Sequence, residues 1–334
     1  ENRKIIIDLE HRDNMTDSDL IFLNDSTIVG KRISDNWARE QHFYFAVKFS
    51  EIPINREFRK NEEGQASKLI LEFGNEFPVL ALKVGISAVD INGAKKNLNT
   101  EMPHWDFDKY RSANEAKWNK ELSKVELKES DPDKLAIFYT ALYHSFLNPN
   151  NFSDVDGRFR GMDMKIHQSN QHTQYTVFSL WDTFRASHPL FTILQEERTI
   201  DFVKTLLTQY KQGGILPIWE LSANYTGCMI GYHSIPVIVD AYNKGLRDFD
   251  ADLALRAMVH SADQHHLGLE SYRKQGFISS ENESESVSKT LEYAYDDWCI
   301  AIFADSLGQD SIAQRFYERS QFYKNIYNPT STFM

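Results

Sequence analysis

Apolar positions along the first 90 residues recur at every second place. His42–Phe49 sets Phe43, Phe45, Val47 and Phe49 on one face, and Val79–Ile86 repeats the pattern with Leu80, Leu82, Val84 and Ile86. Period two with one apolar face predicts antiparallel strands packed on a second layer. Lys4–Leu9, Leu20–Leu23 and Lys68–Phe73 are shorter runs of the same kind, separated by polar turns such as Asn61-Glu62-Glu63-Gly64. A sandwich is the natural closure for such a set, because each strand must cover its apolar face.

From about Asp106 the period becomes helical. Residues 106–125 carry Tyr110, Trp118, Leu122 and Val125 near one face with dense charge elsewhere, as a connecting helix would. Asp131 before Pro132 is an N-cap and first-position pair, and the helix it opens carries Leu135, Phe138, Leu142 and Phe146 at spacings of three and four. Further helices are predicted over 181–194, 200–211, 232–244, 250–261, 285–304 and 310–327. In the 285–304 helix Val287, Leu291, Ala294, Trp298 and Ile302 make a continuous apolar stripe. The fold class is therefore α+β and multidomain: an N-terminal antiparallel β-sandwich over 1–90, linker helices over 91–130 and a helical domain over 131–334. Paired helices joined alternately by short turns and long polar-aromatic loops predict hairpins stacked around a toroid, and no 34-residue repeat points to a solenoid instead. An (α/α)6 toroid needs about twelve helices of roughly 10–14 residues each. About half of them are visible, so the expectation is the first half of such a barrel.

With 334 residues, 41% of them apolar, the chain has enough material for a sizeable core. A formal charge of -11 with no basic stripe argues against a nucleic-acid partner and leaves a neutral, polyhydroxylated ligand as the better fit. No apolar run is long enough to span a bilayer. Cys228 and Cys299 are the only cysteines, with no Cys-x-x-Cys or His-Glu-x-x-His spacing, which argues against zinc and predicts two free thiols.

Candidate chemistry gathers in four stretches. Tyr175–Leu190 places Trp181, Asp182, Arg185 and His188 together at an apparent helix start. A pyranose offers an apolar face that stacks on indole and hydroxyls that carboxylate, guanidinium and imidazole can bind. The structural alternative is a core Trp181 and an N-capping Asp182. Gly213–Leu221 delivers Trp219 and Glu220 on a glycine-opened loop, and Thr226–Ser234 brings Tyr232 and His233 to the next helix start. Ring stacking for Trp219 and hydroxyl binding for Glu220 and His233 stand beside packing and core roles for the same residues. Asp296 and Asp297 lie deep in a helix beside Trp298, where structural ion pairs are the expectation. Asp154-Val155-Asp156-Gly157 begins like a calcium loop. Its twelfth position is Lys165, where an EF-hand requires Glu. A different site built from Asp154, Asp156 and Asp163 competes there with a loop ion-paired through Arg158 and Arg160.

In this order and at these separations the four stretches, with Ser153–Asp163, closely resemble glycoside hydrolase family 92, the calcium-dependent exo-α-mannosidases, from about Val84 to the last residue. The resemblance implies an N-terminal sandwich, a toroidal catalytic domain, an inverting mechanism on α-mannosides (with α-1,2 linkages expected) and bacterial export to the periplasm or cell surface. No signal peptide is present in a chain that begins at Glu1. It implies that Trp181 and Asp182 line the innermost mannose subsite, and that Trp219, Glu220 and His233 hold motif positions too. Inverting hydrolysis needs an acid and a base about 6.5–9.5 Å apart. The family's acid lies in a His-Gly-Asn-Glu-Pro-Ser-His-like stretch and its base in a Gly-Asn-x-Asp-x-Gly-Gln-Met-Ser-like one. Neither occurs here, so both residues, and most ligands of the implied Ca2+, are expected beyond Met334. Two alternatives follow: a glucoamylase-like glycosidase with Glu220 as acid and Asp182 as base, or a fragment that binds carbohydrate without catalysis. An open half-barrel further predicts self-association over its exposed helix faces.

Overall fold

The structure is a computed structural model that describes residues 3–76 and 78–334. It is α+β, and its chain divides into two compact units, Glu1–Thr176 with Leu221–Asn224 and Val177–Glu220 with Tyr225–Met334.

The first unit is built on β1 (Arg3–Asp8), β2 (Asn14–Asn24), β3 (Thr27–Asp35), β4 (Gln41–Phe49), β5 (Asn55–Lys60), β6 (Ala66–Phe73) and β7 (Leu82–Ser87). They form two antiparallel sheets, ordered β1-β6-β5 and β2-β3-β4-β7. Leu20, Ile28, Phe45, Val47 and Phe49 of one sheet meet Leu69, Leu71 and Phe73 of the other in a shared core, which is the expected sandwich. Each such burial contributes about 1.5–3 kcal/mol. Strand β3 was hidden in the sequence because Ile28 and Val29 are buried on opposite faces and Gly30 interrupts the alternation.

Strand β7 corrects the expectation for its region. Leu82, Val84 and Ile86 are 46%, 44% and 54% exposed, while Lys83, Gly85 and Ser87 are covered. The cover is α1 (Ile91–Glu101), opened by Asp90, whose carboxylate accepts from the Gly93 N–H at 2.6 Å. Ala94 and Leu98 of α1 pack on Val29 and Ala46. Gly85 permits this approach, since a Cβ there would lie 2.4 Å from the Ala94 carbonyl oxygen and 2.6 Å from Leu98 Cβ. The helices α2 (Phe107–Leu122) and α3 (Pro132–Ser145) follow, joined by a Trp118–Tyr143 ring contact at 4.5 Å. Asp131 caps α3 ahead of Pro132, as its spacing predicts.

In the second unit run α4 (Leu180–Thr183), α5 (Ser187–Leu194), α6 (Glu196–Gly213), α7 (Ser234–Asn243), α8 (Ala251–Ala262), α9 (Leu269–Gln275), α10 (Ser286–Ser306) and α11 (Asp310–Arg319). The helix expected over 181–194 is broken between Thr183 and Ser187. The one expected over 310–327 stops at Arg319 and resumes as a 3-10 turn over Phe322–Ile326. α10 packs on α7, α8 and α11. Its buried side carries Thr290, Tyr293, Asp296, Asp297 and Ile300, whereas Val287 and Trp298 of the apolar stripe are 42% and 44% exposed. Among the described residues no helix is long and apolar enough to cross a membrane.

Candidate functional site

Trp181, Asp182, Trp219, Glu220 and His233 all lie within the second unit. The short strand Phe178–Ser179 pairs antiparallel with the strand that opens at Trp219, setting Phe178 against Glu220 and Ser179 against Trp219. The Leu180 N–H extends the pairing to the Ile218 carbonyl at 3.1 Å. Two stretches far apart in sequence are thereby fixed side by side, and α4 starts at once from the fully buried Leu180. Trp181 is half-buried and Asp182 exposed, its carboxylate accepting from the Ser179 hydroxyl. The N-cap position of α4 is Ser179, without a capping side-chain bond, and Asp182 sits in the first turn. The capping reading of Asp182 therefore falls.

The loop before α7 turns back through Gly227, Met229 and Gly231, with φ of 65°, 71° and 87°. Gly231 is required there on a second ground, since a Cβ would stand 2.7 Å from the His233 ring. This turn clamps Asp296 of α10 by both oxygens, the Tyr232 N–H donating at 2.8 Å and His233 Nδ1 at 2.7 Å. Phe184, from the break after α4, stacks on the His233 ring at 4.0 Å. On its far side His233 Nε2 comes within 3.1 Å of Glu292 Oε2. That approach is a charge contact off the N–H axis, and Nε2 keeps no aligned hydrogen-bond acceptor. Glu292 Oε1 accepts from Arg185 Nη2 at 3.1 Å.

Electrostatics follow from this layout. Burial alone favours a neutral His233, but the charge and hydrogen bond of Asp296, with Glu292, outweigh it and hold the imidazole pKa up at about 9. Burial also works to raise the Glu292 carboxyl, yet His233, Arg185 and the Trp181 indole keep it below its ordinary value. Next to Asp296, the buried Asp297 accepts from Tyr232 at 2.5 Å, Tyr272 at 3.0 Å and Arg319 Nε at 2.9 Å. Both aspartates thus make the structural pairs expected of them.

Trp181 also lines a cleft of about 560 Å³ with Met229, Ile230, Leu267, Ser288 and Lys289 among its walls. Such a cleft, with apolar and polar lining residues, falls within the usual small-molecule range of about 300–1,000 Å³. Of the five residues singled out from sequence, Trp181 and Asp182 reach solvent. Trp219 is 8% exposed, and Glu220 and His233 not at all. A general acid must reach the leaving oxygen, so the fully buried Glu220 deprives the glucoamylase-like alternative of its acid. His188 is buried among Phe178, Phe191 and Phe202, and burial lowers its pKa to about 4, which makes it a core residue. Glu292 was missed. Its signal was the i,i+4 spacing to Asp296, which sets both carboxylates on one side of α10. Cys228 and Cys299 are free thiols.

The implied calcium does not fit the aspartates considered for it. In the first unit both Asp154 oxygens are taken at 2.8 Å, one by Ser87 and one by Asn97. Asp156 binds Arg158 at 3.0 Å and Lys96 at 3.1 Å, and Asp163 binds His167 at 2.8 Å. Arg158 further pairs with Asp90 at 2.8 Å, so the loop is ion-paired through Arg158, whereas Arg160 donates to the backbone carbonyls of Ala88, Val89 and Met164. Among the described residues no three His, Cys, Asp or Glu side chains are grouped to hold a metal ion.

Comparisons with known proteins place these features in a family. Over its full length the chain superposes on the family GH92 α-mannosidase BT3965 of Bacteroides thetaiotaomicron with a TM-score of 0.95 and 36% identity, covering 48% of that chain. The same enzyme has been solved with mannoimidazole, and this chain matches that structure at a TM-score of 0.94. The inverting family GH92 mannosidase BT2199 of the same organism matches at 0.91 with 30% identity, again with 48% of its chain covered. An uncharacterized secreted glycosidase of Arthroderma benhamiae is 26% identical over 274 residues, 31% of its length. The chain thus spans about half the length of the solved relatives and less of the curated one. Residues 93–334 match the model of the glycosyl hydrolase family 92 catalytic domain, a span that contains every motif assembled around Trp181, His233 and Asp296. The chain belongs to glycosyl hydrolase family 92.

Proposed function

We propose that the protein carrying this chain is an exported, inverting exo-α-mannosidase that releases mannose from α-linked glycans, α-1,2 linkages among them, and that this chain supplies one wall of the mannose subsite. The carrying observation is Trp181 lining the cleft, with Asp182 next to it in the chain and exposed, an indole and a carboxylate being the groups that stack on and hydrogen-bond a pyranose. The solved relatives are described as α-mannosidases, one of them in complex with mannoimidazole, and the fungal relative as secreted, which supports substrate class and export. In this reading Trp181 stacks on the sugar and Asp182 binds its hydroxyls, while Trp219, Glu220 and His233 support them from behind.

The division into a sandwich over 1–90, linkers over 91–130 and an (α/α)6 half-barrel over 131–334 belongs to the same proposal. General acid and base would come from the family's two motifs, absent from this sequence, and any calcium would be held by residues of the whole protein other than Asp154, Asp156 and Asp163. The test is hydrolysis of an α-1,2-mannobiose by the full-length protein, followed by proton NMR. Release of mannose that appears first as the β-anomer is expected, as inversion at the anomeric carbon demands. No release of mannose, with calcium supplied, sinks the proposal.

A further inference from the structure

We infer that Glu292 is a hydroxyl-binding carboxylate of this mannose subsite and that His233, backed by Asp296, is the positioning residue that aims it; this rests on the mannosidase reading above. The observation is a relay buried at one end and open at the other. Asp296 has no solvent exposure and is held at both oxygens by Tyr232 and His233. His233 is fully buried and hands its second nitrogen to Glu292 at 3.1 Å. The Glu292 side chain is 14% exposed, so the chain of contacts ends at the surface.

Two donors there lack an aligned acceptor. His233 Nε2 and Trp181 Nε1 are both buried beside Glu292, and neither N–H is well aligned on an acceptor. A buried donor without an acceptor costs about 1–3 kcal/mol, and native structures resolve such groups with a ligand or water. A sugar hydroxyl suits this arrangement, because its oxygen accepts from the Trp181 indole while its proton goes to the Glu292 carboxylate. Arg185, 3.1 Å from the other Glu292 oxygen, leaves the carboxylate one oxygen for that proton. The charged groups facing Glu292 are Arg185 after α4 and His233 at the head of α7, with Asp296 behind on its own helix.

The test measures calorimetric binding of methyl 1-thio-α-D-mannopyranoside, neutral and resistant to hydrolysis, to the full-length protein across pH. Glu292→Gln is expected to weaken binding by at least tenfold at pH 7, and Glu292→Asp by less. His233→Gln should move the acid limb of the binding curve to higher pH, since Glu292 then loses the charge that favours its ionised form. Should His233→Gln not fold, the imidazole nitrogen shifts of the wild type decide, and a His233 neutral at pH 7 overturns the relay. Wild-type binding with an indifferent Glu292→Gln overturns this inference alone. A wild type that binds no mannoside overturns the mannosidase reading together with it.

Discussion

His233 shows how one buried side chain can couple pH to stability. Its proton is retained up to about pH 9 in the fold, whereas an unfolded imidazole loses it near 6.5. Between those values the native state binds more protons than the unfolded one, so stability is fully present below pH 6.5 and is lost as pH rises through 9, at up to about 1.4 kcal/mol per pH unit. Thermal midpoints should therefore separate wild type from His233→Gln widely at pH 6 and narrowly at pH 9. An equal gap at both values would mean that His233 is neutral in the fold. At the exposed end of the same site, Asp182 is proposed to accept sugar hydroxyls as a charged acceptor, a contact worth about 1.5–3 kcal/mol. Asp182→Asn should then weaken mannoside binding roughly ten- to a hundredfold while leaving the thermal midpoint near wild type, because the residue caps nothing and is solvent-exposed. Loss of folding with no change in affinity would argue for a structural role instead.

At the scale of elements, periodicity revealed strands and helices but not which of their faces would be covered. In β4 the apolar face is the buried one, and the sequence reading holds for Phe45, Val47 and Phe49. In β7 the apolar face is the open one, because α1 needs the small surface of Gly85 and the stem of Lys83 to lie against the sheet. Only the position of α1, which no pattern within β7 encodes, decides between the two. α10 inverts for a related reason: its inner side is spent on Asp296 and Asp297, whose ion pairs with His233 and Arg319 tie three helices and a loop together. The convergence of Trp181, Tyr232 and His233 was legible because motif residues cluster in the chain. The pairing of Phe178–Ser179 with the Trp219 strand, two residues long, was not, since so short a strand carries no period. Gly85→Ala tests the α1–β7 contact directly. The added methyl meets backbone atoms of α1 at 2.4–2.8 Å, which cannot yield as a flexible side chain would. Overpacking of this kind costs about 1–3 kcal/mol. A urea midpoint for the first unit's signal should drop accordingly, and an unchanged midpoint would mean that α1 is free to move off the sheet.

For the molecule as a whole, the apolar surface left open on α10 sets the last expectation. Val287, Tyr295 and Trp298 are 42–44% exposed along one side of that helix. Single exposed apolar residues are ordinary, but a run of them along a helix two of whose members are aromatic marks a surface that packs against protein. The chain covers 48% of the family GH92 α-mannosidase it matches over its whole length. Two outcomes are then separable by experiment. In the 334-residue polypeptide alone, the stripe should drive self-association at micromolar concentration, and Trp298→Glu should return the material to monomer by sedimentation velocity. In the full-length protein the same substitution should instead lower thermal stability by about 1–3 kcal/mol, the cost of placing an unpaired charge in a packed interface. A polypeptide of this length that sediments as a monomer, together with a full-length protein indifferent to Trp298→Glu, would show the α10 stripe to be plain solvent-facing surface, and the half-barrel reading of the second unit would lose its physical support.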